Sequence, residues 1–115
     1  MDVFAFYDCS LTAPAGQADK VVLWERSWRE HGWTPRLITA RHARRSKFYK
    51  QRKDRPGAIP LLALHAVGGG WFAPLDVLNS GFVPGVRMPI PNGVVRGSKS
   101  ALAKFFTGRT RNFRN

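Results

Sequence analysis

The stretch Gly68–Val77, which reads GGGWFAPLDV, decides how this chain is interpreted. It follows the apolar run Leu61–Val67 and leads through aromatic residues to one carboxylate, Asp76. That order is typical of a helix, a glycine turn and a strand that delivers an acidic residue at its far end. Three consecutive glycines permit positive φ angles and the close approach of backbone or ligand. Two interpretations stay open: a helix end followed by a buried strand with a surface aspartate, or part of a ligand site.

Hydrophobic spacing on either side of this stretch predicts an α/β fold with a small, mostly parallel sheet and flanking helices. A strand, an amphipathic helix and a second strand follow one another, which makes a βαβ unit with a right-handed crossover. The later helix is apolar nearly all round, so we expect it to be buried. The predicted strands lie at residues 3–7, 36–40 and 71–77, and the predicted helices at residues 17–31 and 59–67.

The C-terminal part is predicted to be less regular. Proline and glycine recur too often there for long helices or strands. A short helix capped by Ser98 or Ser100 is expected. We therefore divide the chain into an α/β core, residues 1–84, and a basic, partly irregular extension, residues 85–115. The inward-facing residues of the short helix are predicted to be Leu102, Phe105 and Phe106.

Length and composition indicate one domain. The 115 residues allow a single modest core, and 43% hydrophobic with 12% aromatic residues excludes wholesale disorder. No apolar run approaches the roughly 20 residues of a membrane span, and no signal-peptide pattern follows Met1. Cys9 is the only cysteine, so no internal disulfide can form. We expect a cytoplasmic protein without a membrane partner.

The net charge of +12 is concentrated in two regions. Residues 41–55 hold eight basic side chains and one acid, and seven basic residues with no acid follow Asp76. The rest of the chain is nearly neutral. Cations crowded in this way favour a polyanionic partner: DNA, RNA or an acidic protein surface.

We expect the basic segment and the C-terminal tail to form a nucleic-acid-binding surface. Phe48 and Tyr49 lie among the cations, and could stack on bases while the cations contact phosphates. The alternative is a solvated basic face whose two aromatic residues dock into the core. The candidate contacts are Arg41, Arg44, Arg45, Lys47, Lys50, Arg52, Lys53, Arg109 and Arg111.

Other common chemistries lack their residue patterns. One cysteine and three histidines show no spacing typical of a zinc site. Asp8, Cys9 and Ser10 lie together after the first strand, but no histidine is recognisable as their catalytic partner. The glycine run leads into a strand and not into a helix N-terminus, so it does not match a phosphate-binding loop. His65 lies within the apolar helix, where we expect a hydrogen-bonded core residue and not a metal ligand.

Several motifs, taken in order, resemble one family. Their order and spacing resemble small phage and bacterial proteins that look like nucleotide-sugar glycosyltransferases of the A-type, Rossmann-like fold. The resemblance covers roughly residues 3–84. The motifs are WREHGWTP at residues 28–35, Leu37-Ile38, Ala40, LAL at residues 62–64, AVGGGW at residues 66–71 and Asp76-Val77.

The resemblance implies a nucleotide-sugar donor, with Mn²⁺ or Mg²⁺ held on its diphosphate. The basic surfaces then suggest a polyanionic sugar acceptor such as modified phage DNA. The resemblance also implies that Asp76 is the metal ligand. The nucleotide contacts that it implies are Tyr7, Asp8, Ser10, Gly69 and Gly70.

The chain departs from the family's pattern at three points. Pro74 stands where the first aspartate of the metal-binding Asp-x-Asp pair is expected. Pro60 or Leu61 stands where relatives often carry an arginine that meets the nucleotide. No carboxylate follows Asp76 to act as a catalytic base, so the catalytic residues stay unassigned.

Two functions therefore stay open. The first is a glycosyltransferase-like enzyme with a nucleotide-sugar and a divalent metal. The second is a non-catalytic basic protein, without a cofactor, that uses the same scaffold to bind nucleic acid or an acidic host protein. Fold alone does not decide between them.

Overall fold

A computed structural model of the chain describes residues 1–9 and 15–108, apart from the side chain of Pro56. Three of the predicted contact residues, Ser10, Arg109 and Arg111, lie outside the described residues. Within them the chain is an α/β protein with a four-stranded, mostly parallel sheet and flanking helices.

The predicted βαβ unit is confirmed. β1 (Asp2–Phe6) and β2 (Thr34–Ile38) run parallel, with Asp2 opposite Thr34 and Phe6 opposite Ile38. The helix between them is α1 (Gln17–Arg29). Its two tryptophans, Trp24 and Trp28, are one helical turn apart and fully buried against the sheet. Local apolar spacing was enough to predict this unit to within two residues at each boundary.

Two further strands complete the sheet in the order β2-β1-β3-β4. β3 (Gly69–Phe72) runs parallel to β1, and β4 (Val95–Ser98) runs antiparallel to β3. The predicted bounds of the third strand, residues 71–77, are wrong at both ends. Pro74 has no N–H for a neighbouring strand, and its carbonyl accepts the Val77 N–H at 2.9 Å in a turn. The residues between Pro74 and Val77 therefore form a turn and are not part of a strand.

One side of the sheet is covered by helices from the middle of the chain. α4 (Ile59–Ala66) follows a 3₁₀ turn and is the predicted buried helix, with Pro60 in its first turn. The basic segment forms two short helices, α2 (Ala40–Ala43) and α3 (Tyr49–Arg52), which pack on α4. None of the helices within the described ranges is long and apolar enough to cross a membrane.

The C-terminal helix, α5 (Lys99–Phe106), covers the same side of the sheet. The Ser98 hydroxyl accepts a backbone N–H of its first turn at 3.1 Å, which confirms the predicted cap. Leu102 and Phe106 are buried, and Phe105 is half-buried against the same core, so the predicted inward face is confirmed for Leu102 and Phe106 and in part for Phe105. Residues 95–106, which form β4 and α5, are therefore an integral part of the sheet and core.

Alternate residues of β1 face the two cores. Phe4 points towards α4 and α5 and packs with Ile38 of β2, whereas Val3 and Ala5 point towards α1. All of these residues are buried, as expected for the central strand of a three-layer α/β fold.

The core on the α1 side is mainly aromatic. Its ring centroids lie 5.3–6.3 Å apart, mostly edge to face. Two indole N–H groups also fix the chain after β3, because Trp28 donates to the Val77 carbonyl at 3.1 Å and Trp33 donates to the Phe82 carbonyl at 2.8 Å. The rings belong to Trp24, Trp28, Trp33, Trp71 and Phe82.

The predicted turn at Asn79-Ser80-Gly81 is confirmed and is held by the Asn79 side chain. Its Oδ1 accepts the N–H groups of Gly81 and Phe82 at 2.9 and 2.7 Å, and its Nδ2 donates to the Phe82 carbonyl at 2.7 Å. The Asn79 N–H donates to the Ser27 hydroxyl of α1 at 3.0 Å. These bonds satisfy a buried amide and attach residues 73–82 to α1.

Candidate functional site

The carboxyl ends of β1 and β2 open onto a cavity of about 580 Å³. Open α/β sheets place ligand sites at this edge, since the loops that follow the parallel strands converge there. The predicted contact Asp8 lies on one wall and Arg41 on another. The lining residues are Asp8, Cys9, Thr39, Ala40, Arg41, His42 and Arg44.

Hydrogen bonds hold the loop that follows β1 at this edge. Tyr7 N–H donates to the Ile38 carbonyl at 2.8 Å, which extends the β1–β2 ladder by one residue. The side-chain amide of Gln17, the first residue of α1, donates to the Asp8 carbonyl at 2.8 Å and accepts the Asp8 N–H at 2.9 Å. Tyr7 and Asp8, two of the predicted nucleotide contacts, therefore lie at the carboxyl end of β1.

Asp76 lies near the same edge, exposed on its turn. It lines a small cavity of about 170 Å³ with Phe6, Gln17, Lys20 and Leu75. In the described part of the chain, no group of three or more His, Cys, Asp or Glu residues could hold a metal ion. Mg²⁺ held by one carboxylate takes its other ligands from water and substrate phosphates. Asp76 would therefore supply one protein ligand to such an ion.

An apolar cavity of about 490 Å³ lies between the ends of β1 and β3 and the start of α4. Pro60 and Leu61 form part of its wall. The cavity therefore offers an apolar surface but no charged side chain for a phosphate. Its lining residues are Phe6, Gly57, Pro60, Leu61, Phe72, Pro74, Leu75, Gly93 and Val95.

Gly69 and Gly70, predicted as nucleotide contacts, lie at the opposite end of the sheet. They pair with Ser98 and Gly97 of β4. By the register of β3 with β1, they lie beside the first residues of β1, roughly 20 Å from the loop that follows the last residue of β1. A Cβ at Gly69 would lie 2.4 Å from the Gly97 carbonyl oxygen, and a Cβ at Gly70 would lie 3.2 Å from the Phe4 ring. The close approach that these glycines permit is thus filled by β4 and the core.

The predicted phosphate contacts on α2, α3 and the residues around them form what we call the basic face. α2 and α3 pack inward on α4 through Ala43 and Phe48, so their outer sides face solvent on one side of the sheet. Within residues 1–9 and 15–108, no member of the basic face forms an ion pair with a carboxylate within 4.0 Å. The basic face consists of Arg41, Arg44, Arg45, Lys47, Lys50 and Lys53, all of them exposed.

The two aromatic residues among these cations dock into the core. Phe48 is buried, with its ring 5.2 Å from that of His65 and 5.4 Å from that of Phe106. Tyr49 is half-buried against the same core. The predicted stacking of Phe48 on bases is therefore wrong, and the alternative expectation that both aromatic residues dock against the core is confirmed. Lys47 lies over the exposed edge of this arrangement, with Nζ 5.3 Å from the Phe48 ring centroid.

Arg52, another predicted phosphate contact, holds the end of α5. Its Nη2 and Nε donate to the Phe106 carbonyl at 2.6 and 3.2 Å. A cation there also compensates the negative end of the α5 dipole. Arg52 differs in this respect from its exposed neighbours, because its guanidinium already has a structural acceptor.

His65 is a hydrogen-bonded core residue, as predicted. It is 4% exposed, and its Nδ1 lies 2.9 Å from the Ser46 hydroxyl, which also accepts the Phe48 N–H. Burial lowers the pKa of His65 below its ordinary value of 6.5, and the nearby charges of Lys99 and Lys47 lower this pKa further.

A cavity between α3 and α5 escaped the sequence reasoning. It has a volume of about 480 Å³ and combines arginine side chains with a half-buried ring, Phe105; we call it the α5 cavity. A signal was present, because adjacent residues of a helix point about 100° apart, so Phe105 and Phe106 do not share one buried face. The lining residues are Arg52, Arg55, Gly57, Ala58, Phe105, Phe106 and Gly108.

No protein-family model, no curated protein and no solved structure matches this chain. The function is therefore argued from the geometry and charge of the described residues.

Proposed function

We propose that the protein binds nucleic acid, and that the basic face contacts the phosphate backbone. The observation that carries the proposal is six exposed cations without a carboxylate partner among the described residues. Like charges held close together repel, and phosphates spaced along a nucleic-acid strand relieve that repulsion while they release counterions.

The fold holds this surface in place. Ala43 and Phe48 anchor the segment on the core, and α2 and α3 pack on α4. Arg41 and Lys50 lie on these helices, and the other four cations lie at the helix ends or in the turn between them. Because the neighbouring aromatic residues are docked inward, the face presents phosphate-binding groups and few groups that read base edges. The proposed binding is accordingly independent of sequence.

A competition experiment distinguishes binding to DNA from binding to an acidic protein surface. Fluorescence anisotropy with a labelled DNA duplex would be measured in the presence of unlabelled duplex or unlabelled polyglutamate. The proposal expects the duplex to compete at much lower charge concentration, because its phosphates have a higher linear charge density. Equal competition by polyglutamate would indicate a generic polyanion surface and contradict the proposal.

A glycosyltransferase-like activity is the second candidate. It is supported by the position of Tyr7, Asp8 and Asp76 at the carboxyl edge of the sheet, beside two of the cavities. The single carboxylate, the apolar wall at Pro60 and the glycines at the far edge count against it. We therefore rank it below nucleic-acid binding.

Calorimetric titration tests this second candidate. The folded protein would be titrated with UDP-glucose and with UDP, each with and without Mn²⁺. A donor site that uses Asp76 predicts metal-dependent binding that Asp76→Asn abolishes. Absence of binding, or equal binding by the variant, would remove Asp76 from any donor site.

A further inference from the structure

We propose that the bound nucleic acid extends beyond the basic face, across the C-terminal end of α4, and that Lys99 contacts its backbone. This inference rests on the proposed function and deepens it, because Lys99 belongs to α5 and not to the basic segment. Lys47 and Lys99 are both exposed, and neither forms an ion pair with a carboxylate of the residues that the structure describes. Phosphates that pass between them would contact a cation on each side of α4.

Lys47 reaches the end of α4 from the basic face. Its Nζ lies 5.3 Å from the centroid of the Phe48 ring, and the centroid of that ring lies 5.2 Å from that of His65, in the last turn of α4. The Ser46 hydroxyl lies 2.9 Å from His65 Nδ1, so the turn that carries Lys47 is bonded to the same histidine. Lys47 is therefore held close to the end of α4.

Lys99 reaches the end of α4 from the other direction. α4 ends at Ala66, and β3 begins at Gly69. The backbone nitrogen of Lys99 lies 2.7 Å from the position that a Cβ at Gly69 would take, which places the start of α5 beside the exit from α4. The rings of His65 and Phe106 also pack, with centroids 6.2 Å apart, and join the last turn of α4 to α5.

The charges of the two lysines act on one buried group. Burial has the largest effect on the pKa of His65, which it lowers, and the charges of Lys99 on α5 and Lys47 on the turn after α2 lower this pKa further. Phosphates beside the two lysines would offset both positive charges and favour the imidazolium. The pKa of His65 should therefore rise when nucleic acid covers the end of α4.

The helix end itself offers a competing role for these lysines. The C-terminus of α4 carries roughly half a negative charge, which one nearby cation already compensates. Two full positive charges at the same end leave an excess of positive charge for a phosphate. If the lysines served only the helix, Lys99→Ala would change stability and leave binding unaltered.

The salt dependence of duplex affinity, measured by anisotropy, compares Lys99→Ala with Arg96→Ala. Arg96 is an exposed cation three residues earlier, but its guanidinium lies 5.6 Å from the Trp71 ring, which packs with the core on the α1 side of the sheet. We expect Lys99→Ala to weaken binding and reduce the salt slope by about one unit, and Arg96→Ala to keep the wild-type slope. Equal slopes for the two variants would overturn the extension to Lys99.

NMR of the histidine rings gives a second readout, independent of affinity. The ring resonances would be followed against pH in the free protein and in the duplex complex. We expect the pKa of His65 to rise in the complex, while that of His31, which follows α1, stays unchanged. In a Lys47→Ala, Lys99→Ala variant, His65 should have a higher pKa than in wild type before any duplex is added.

The two experiments separate this inference from the proposed function. Salt-dependent binding by wild-type protein with an unchanged pKa of His65 would overturn the path across α4 and leave the basic face as the binding surface. Failure of wild-type protein to bind the duplex would overturn both.

Discussion

At the scale of single residues, Gly69 shows how a motif that suggests a ligand loop can serve packing instead. Its φ of +82° is in the left-handed region, and the backbone of β4 occupies the space where a side chain would begin. The neighbouring Gly68 has a similar φ of +98°, but no atom lies within 4 Å of its Cβ position. A side chain at Gly68 would therefore meet backbone strain alone, whereas a side chain at Gly69 would meet both backbone strain and a steric clash.

We predict that Gly69→Ala destabilises the protein much more than Gly68→Ala. Gly68→Ala should cost about 1–2 kcal/mol, the strain of a left-handed non-glycine residue. Gly69→Ala adds contacts of 2.4 Å to the Gly97 oxygen and 2.7 Å to the Lys99 nitrogen, and should cost roughly 1–3 kcal/mol more. Urea unfolding of both variants measures the difference, and equal losses would show that β4 does not pack on Gly69.

A second residue-scale prediction concerns pH. Because burial lowers the pKa of His65 in the folded state, the unfolded chain binds more protons between that lowered pKa and about 6.5. The free energy of unfolding should therefore fall as the pH drops below about 6.5, and this contribution ends below the folded-state pKa.

The variant His65→Gln removes this titration and keeps an acceptor for the Ser46 hydroxyl. The measurement compares the loss of unfolding free energy between neutral pH and about pH 5 in the two proteins. We expect a smaller loss in the variant, whatever its stability at neutral pH. The same loss in both would show that His65 does not contribute to the acid sensitivity.

At the scale of secondary structure, α5 depends on an arginine from α3. Arg52→Ala removes two hydrogen bonds to the Phe106 carbonyl and the charge at the end of α5. We predict a loss of about 1–2 kcal/mol in unfolding free energy. Lys53→Ala removes an exposed neighbour of equal charge and should stay within about 0.5 kcal/mol of wild type. A similar loss in both would refute the structural role of Arg52.

The elements that could be predicted from the sequence are those with a local signal. β1, α1, β2 and α4 have their own apolar spacing, and Ser98 marks the start of α5. β4 carries no such signal, because VRGS has one apolar residue and becomes a strand through its pairing with β3. The extent of β3 depended on the turn at Pro74, which a continuous apolar reading of residues 71–77 overlooked.

The cations of the candidate site could be predicted from the sequence, but the burial of its aromatic rings could not. The excess of cations in residues 41–55 is visible in the sequence, and their exposure follows from their polarity. Whether the Phe48 ring is exposed depends on whether α4 and α5 enclose it, which is a tertiary contact. The same holds for Gly69, whose neighbour in β4 lies almost thirty residues further along the chain.

At the scale of the whole molecule, the sheet separates two surfaces of different charge. On one side, α1 carries three cations and an equal number of acidic residues with its C-terminal cap; they are Lys20, Arg26 and Arg29, and Asp19, Glu25 and Glu30. Arg29 also forms an ion pair with Glu25 at 3.7 Å. On the other side, the basic face has no such balance among the described residues. Nucleic acid should therefore bind on the side of the sheet that carries the basic face.

The salt dependence of DNA affinity tests this claim most directly. The dissociation constant for a duplex would be measured by anisotropy across a series of salt concentrations for three proteins. They are wild type, a basic-face variant (Arg44→Ala, Arg45→Ala, Lys50→Ala) and an α1 variant of equal net charge (Lys20→Ala, Arg26→Ala, Arg29→Ala).

If the basic face contacts phosphates, log K falls with log salt at a slope of roughly −5 for six contacts in wild-type protein. The basic-face variant should lose affinity and about two to three units of that slope, while the α1 variant keeps a slope close to that of wild type. Equal slopes for the two variants, or tight binding without salt dependence, would contradict the account.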